Sequence, residues 1–425
     1  MTAIRQSFLF ELEDYFGKPN ATHHWIAPPP GSFINTTHNR GTTRVQSAGT
    51  KVWDTVAYGQ LTGSWEWTFM LDYDYLEPLY FAFESLIEYE CTGTAQNPTV
   101  TNNYTDHKYD KSNTGRVRSF TIRRKMLNRM AGGPENSDEM EEIYGCVVRN
   151  ISFSKAAGDS QIQVRMTGFF VDEAMVLGRL DATDYQEYDG HLAEYFCMFV
   201  GDNPTDTLSQ CHYVANTESL EISIENGADP IYNTCSPFAS AYYENITNYS
   251  FSTSCYSNNP NNYKLRVYGG GRKVEPVTDI DGTRYISRPM AKGLAPMKKI
   301  YLIAYDGSAR SYDTTSEGTT THVEDTDITS ADIIAAYNRS TKKICVDITD
   351  CVIKSLTWPK GDGSKITDNI SSTECKRIKM TITNPKYVAN PGLYANQGTG
   401  TDTAVVKHRD IATASVEPEW YTPPN

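Results

Sequence analysis

The chain has 425 residues, a formal net charge of −13, and 12% aromatic and 39% hydrophobic side chains. That length exceeds one ordinary domain and predicts two or three, each able to bury a core, while the abundance of Tyr, Thr, Ser and Asn predicts a mainly β fold. The acidic balance argues against a tight grip on nucleic acid, which needs clustered Lys and Arg, yet it suits DNA that passes without adhering.

No cationic start followed by a long apolar run opens the chain, and no segment approaches the ~20 apolar residues that span a bilayer. Neither a signal peptide nor membrane insertion is expected. The nine cysteines are dispersed, without CxxC pairs or zinc-finger spacing, and read as buried free thiols. Their odd number leaves at least one outside any intrachain disulfide.

In chain order, residues 2–62 read as a lead-in loop or arm, with an apolar patch at Phe8 and Phe10, the run Pro28-Pro29-Pro30-Gly31 and a Thr/Asn-rich stretch over 36–43. Residues 63–90 form the best-marked unit. Trp65, Trp67, Phe69, Leu71 and Tyr73 alternate with Glu66, Thr68, Met70, Asp72 and Asp74, the period of a half-buried strand. The period then becomes helical, with Leu76, Leu79, Tyr80, Phe83, Leu86 and Ile87 on one face, Asp74 as N-cap and Pro78 in the first turn.

Residues 92–115 carry hardly an aliphatic side chain and read as a long loop. A short strand is expected over 119–127 and a polar turn over 131–142. Residues 143–154 and 160–171 flank Lys155-Ala156-Ala157-Gly158-Asp159 as a hairpin, whose second arm alternates Ile162, Val164, Met166 and Gly168 with Gln161, Gln163, Arg165 and Thr167. An acidic, Tyr-rich connector over 172–202 is the candidate domain boundary.

The pattern then recurs: Leu220, Ile222 and Ile224 alternate with Glu221, Ser223 and Glu225, and a second strand follows over 246–254. Further strands are expected at 264–268, 298–305, 343–357 and 376–383, with a short helix at 330–338 and an exposed Thr-rich loop at 312–327. The Pro/Gly-punctuated tail from residue 384 reads as an extended arm.

No constellation for catalysis stands out. Gly269-Gly270-Gly271-Arg272-Lys273 lacks phosphate-loop spacing, Asp279-Ile280-Asp281-Gly282 reads as a turn rather than a calcium loop, and His23-His24 lacks a third ligand at known spacing. No metal or cofactor is expected. Asn-X-Ser/Thr triplets at Asn20, Asn35, Asn103, Asn150, Asn245, Asn248, Asn338 and Asn369 matter only where the host glycosylates surface proteins.

Taken together, Gly63-Ser64-Trp65-Glu66 with the following helix, residues 119–125, residues 145–154 and Met166-Thr167-Gly168-Phe169 resemble the tail tube (major tail) proteins of long-tailed bacterial and archaeal viruses. Residues 219–226 resemble the start of a second copy, with Ile224 where the family places Asn. The resemblance covers roughly residues 41–269 and implies tandem β-sandwich domains, each flanked by a short helix, whose inner strands join a ring-wide β-barrel.

On that implication residues 1–40 are an N-terminal arm, 41–205 a first tube-like domain, 206–385 a second with an insertion or decoration over 270–345, and 386–425 a C-terminal arm. A two-domain chain would form trimeric rings with pseudo-sixfold symmetry that stack into a tube conducting double-stranded DNA without tight binding. The virion tail, assembled in the host cytoplasm beside other tail proteins, is the implied location. Candidate lumen residues are Glu66, Thr68, Gln161, Gln163, Arg165, Thr167, Glu221, Ser223 and Glu225; Asn102, Tyr104, Asp106 and Lys108 are candidates for contact between rings. The rival readings are another β-rich virion component, such as a baseplate, terminator or capsid protein, or a glycan-binding adhesin.

Overall fold

The computed structural model describes residues 8–13, 15–18, 28–29, 31–45, 55–72, 78–79, 87–94, 97–104, 119–125, 138–159, 161–178, 195–214, 217–244, 248–256, 272–280, 282–289, 298–305, 314–316, 319–321, 330–340, 343–352, 355–357, 367–383 and 405–407. The protein is mainly β. Its first strands are β1 (Phe8–Leu12), β2 (Phe33–Val45), β3 (Thr55–Met70), β4 (Ile87–Thr94), β5 (Asn97–Tyr104), β6 (Phe120–Lys125), β7 (Asp138–Ala156), β8 (Gln163–Phe170) and β9 (Asp172–Gly178). Then come β10 (Tyr195–Gly201), β11 (His212–Tyr213), β12 (Thr217–Glu225), β13 (Ala228–Tyr232), β14 (Ala239–Glu244), β15 (Asn248–Tyr256), β16 (Arg272–Asp279), β17 (Gly282–Pro289) and β18 (Lys298–Tyr305). The remainder are β19 (Thr314–Ser316), β20 (Thr319–Thr321), helix α1 (Ser330–Arg339), β21 (Lys343–Val352), β22 (Ser355–Thr357), β23 (Thr367–Thr383) and β24 (Val405–Lys407).

One antiparallel path runs β11-β10-β18-β21-β23-β15-β12-β7-β8-β3-β2. It crosses the candidate boundary at residue 205 without a break, because β12 is hydrogen-bonded directly to β7. The path does not close on itself; among the described strands it ends at β2 on one side and β11 on the other.

Strand β7 belongs to two layers. Its first part pairs with β6 and β9, its second with β8 and β12. The change of partners falls at Gly145, whose φ of 64° is a left-handed value that a side chain disfavours. Folding back in this way lays β1 and β6 over the large sheet. Phe8 and Phe10 of β1 pack on Trp67 at ring separations of 5.4 and 5.0 Å, and Phe120 of β6 meets Trp65 edge-on at 5.3 Å.

The hydrophobic core between the layers includes residues from both halves of the chain, from Phe8 to Ile348. In β18 both faces are buried: Ile300, Leu302 and Ala304 enter that core, while Ile303 and Tyr305 pack under Ile333 and Ala336 of α1. The uninterrupted apolar run of β18 reflects this double burial.

Several expectations are corrected. Residues 8–12, read as part of a loop or arm, form a strand in which Phe8, Leu9, Phe10 and Glu11 are buried. The 92–115 loop holds instead the antiparallel hairpin β4–β5, so Asn102 and Tyr104 are strand residues; Asp106 and Lys108 lie outside the described residues. Ile87 is not helical but opens β4, opposite Tyr104, because the run Ile87-Glu88-Tyr89-Glu90 also carries period two. The acidic start of β7, read as a turn, is a strand because Arg123 and Arg124 of β6 pair across the ladder with Glu142 and Glu141.

The connector over 172–202 contains β9 and β10, the Thr-rich loop holds the β19–β20 hairpin, and the tail supplies β24, which pairs with β4 of its own chain. Cys351 is disulfide-bonded, and the residue opposite it in the ladder is Cys375; free thiols include the buried Cys146 and Cys211. Asp72, assigned to the polar side of β3, is fully buried.

Of the expected core helix, Leu79 is helical and fully buried in the core; Leu76, Tyr80, Phe83 and Leu86 lie outside the described residues. Leu79→Asp places an unpaired charge in that core and is expected to destabilise by about 4 kcal/mol. A melting temperature and soluble yield equal to wild type would remove Leu79 from the core.

Candidate functional site

Alternation along β3, β8, β7, β12 and β15 sends every second side chain to the same side of the large sheet, and the register aligns these positions in rows. One row reads Glu66, Thr167, Asn150, Glu225 and Asn248. The next reads Thr68, Arg165, Ser152, Ser223 and Ser250, and a third Met70, Gln163, Ser154, Glu221 and Ser252. At about 4.8 Å between strands the rows are roughly 19 Å wide.

The reverse face is uniformly apolar. Trp67, Met166, Ile151, Ile224 and Tyr249 form one row there, and Phe69, Val164, Phe153, Ile222 and Phe251 the next, all buried. Burial of this side fixes the register, since a slip of one residue would turn both faces over.

Every position in the polar rows is half-buried or exposed. Its chemistry is hydroxyl, amide and carboxylate; Met70 is the apolar exception. Arg165 Nη2 donates to Glu66 Oε2 at 2.8 Å, Ser223 Oγ donates to Asn150 Oδ1 at 2.9 Å, and Asn248 Nδ2 donates to Glu225 Oε2 at 3.3 Å. The hydrogen bond to Glu66, with the charges of Glu66 and Glu221, holds the Arg165 guanidinium above its already high range. Three carboxylates thus face one guanidinium and no lysine. Such a surface repels a polyanion weakly and offers it hydroxyls in place of water.

Of the nine candidate lumen residues, eight fall in these three rows: Glu66, Thr68, Gln163, Arg165, Thr167, Glu221, Ser223 and Glu225. Gln161 lies in the bend before β8 and is half-buried. Sequence reasoning missed Asn150, Ser152 and Ser154 of β7 and Asn248, Ser250 and Ser252 of β15. The same alternation was present there, Ser152 beside Phe153 and Ser250 beside Phe251, and would have found them.

Elsewhere, His38, Glu141 and Glu173 bring three metal-ligating side chains together. His23 and His24 lie outside the described residues, and among those described no helix is long and apolar enough to cross a membrane. No family model matches the chain, and no curated protein matches it.

Proposed function

We propose that this chain is the building block of a hollow tube of stacked rings, the tail tube of a long-tailed bacterial or archaeal virus, with the polar sheet face lining the channel for DNA. The observation that supports it best is the five-strand polar surface that continues across the β7–β12 junction, so that both halves of the chain contribute to one lamina. A channel wall needs such continuity; a pair of independent binding modules does not.

Two further features fit this reading. Strand β2 leaves a thirteen-residue edge at the end of the path, and an edge of that length invites pairing with another copy. Three copies closing edge to edge would make a pseudo-sixfold ring and a ring-wide barrel. The mild acidity of the rows lets DNA pass without the phosphate contacts that would hold it. The role is structural, in the virion tail, beside other tail proteins.

Negative-stain electron microscopy of the purified protein at rising concentration tests this. Rings and tubes with a stain-filled centre are expected. Compact monomers at every concentration, also in the presence of preformed tail-tip complexes, would sink the proposal, and single rings that never stack would point to a terminator.

A further inference from the structure

The margin where the two layers meet beneath β2 is charged rather than apolar. His38 of β2 projects from the core side of the large sheet, opposite Gly63 in the ladder, and its ring lies edge-on to Phe170 at 4.8 Å. Facing it from the smaller layer are Glu173 of β9 and Glu141 of β7. His38 Nε2 lies 2.5 Å from Glu173 Oε2, and one donor atom from each of the three residues lies within 4.8 Å of the other two.

Residues 38, 141 and 173 are far apart in sequence and stand on three strands in two layers. Glu141 also pairs with Arg124, whose Nη2 donates to Thr36 Oγ1 at 2.8 Å, so this carboxylate is held in place from behind. Glu141 and Glu173 stand side by side, a carboxylate oxygen of each within 4.8 Å of the other. Two carboxylates this close repel each other, and a cation between them relieves that repulsion.

We propose that His38, Glu141 and Glu173 form a binding site for a divalent transition-metal ion that fastens the edge strand β2 to β7 and β9. One imidazole and two carboxylates suit zinc, manganese, iron or cobalt, whereas calcium and magnesium favour an all-oxygen set. Bonds of about 2.1 Å place tetrahedral ligands roughly 3.4 Å apart, so the His38–Glu173 pair opens by about an ångström and the wider pairs close on the ion. Arg124 becomes the outer partner that orients Glu141, and solvent fills the remaining position.

Binding involves no redox change: the ion bonds to one oxygen each of Glu141 and Glu173 and to His38 Nε2, and its two charges offset those of the two carboxylates. Burial, then the neighbouring Glu141 carboxylate, raises the Glu173 carboxyl, while the charge of His38 opposes that rise.

The full chain, stripped with chelator, is titrated with zinc by calorimetry. One ion per chain is expected, with a raised melting temperature. His38→Ala and Glu173→Gln are expected to abolish both effects, and His212→Ala, at a histidine–carboxylate contact elsewhere, to leave them unchanged. Cobalt absorption on wild-type protein gives a reading independent of any variant: intense d–d bands report four- or five-coordination, and weak bands report an ion left as a hexa-aqua complex on stray surface carboxylates. No zinc uptake at millimolar concentration, uptake indifferent to His38→Ala, or weak cobalt bands would each overturn the proposal.

Discussion

Gly168→Ala is expected to destabilise the protein by about 3 kcal/mol or more, the largest effect of any single methyl in the large sheet. A Cβ at this position would sit 1.8 Å from the carbonyl oxygen of Val147 and 2.7–2.8 Å from the Trp65 indole. Neither neighbour can give way. Val147 is held in the β7–β8 ladder, beside a register shift between Val148 and Asn150. Trp65 is fixed by its Nε1 donating to Phe169 O at 2.9 Å and by the edge-on contact with Phe120. Relief requires β8 to move off β7, which breaks that hydrogen bond and opens the core beneath. Chemical denaturation measures the loss, with Gly158→Ala in the open hairpin turn as the control, since nothing lies within 4 Å of a Cβ there. Equal midpoints for the two variants would show that the close approach at Gly168 is not real.

Glu13→Gln is expected to remove a pH dependence of about 3 kcal/mol between pH 4.5 and 7. Glu13 follows β1 and is buried; its Oε1 accepts from Gly145 N at 2.7 Å and Thr121 Oγ1 at 2.8 Å, and its Oε2 from Gly17 N at 2.9 Å. Burial pushes the carboxyl up from 4.5 to about 7, against hydrogen bonds from Gly145, Ser119, Thr121 and Gly17 that hold it down. The hydroxyls can accept as well as donate, so both protonation states are accommodated.

In that window the folded protein keeps a proton that the unfolded chain has lost. The stabilisation is complete below about pH 4.5, declines as pH rises and is gone above about pH 7. Glutamine cannot titrate. The wild-type minus variant difference in unfolding free energy should therefore fall with pH across this range and level off above it. A difference that stays constant from pH 4.5 to 8 would place the Glu13 pKa in the ordinary carboxylate range.

The sequence was most readable where period and environment agree. Residues 300–305 are an apolar run because both faces of β18 are covered, and β12 alternates because only one of its faces is. The polar side of β3, β8 and β12 was likewise visible residue by residue. What could not be read was their alignment into rows, since that depends on pairings such as Glu225 with Asn150 that no local pattern encodes. The acidic start of β7 becomes a strand only when Arg123 and Arg124 stand opposite it. β4 and β5 carry one aliphatic side chain each, Ile87 and Val100, too few to mark two strands by period. Glu13, Gly17 and Gly145 meet at the bend of β7 from distant positions, and the His38 group likewise arises only from layer packing.

The order of strands in the large sheet also bears on how the chain emerges from the ribosome. β7 is complete at residue 156 but must wait for β12 to cover its outer edge, and β15, ending at residue 256, must wait for β23, which begins at residue 367. That second interval of about 110 residues corresponds to roughly 5–20 s of translation. The nascent sheet therefore always presents an unfinished edge, but the edge moves as each new strand arrives. β2 precedes every other strand of the path, and among the described strands none that is made later covers its outer edge, so it stays open as β11 does at the other end.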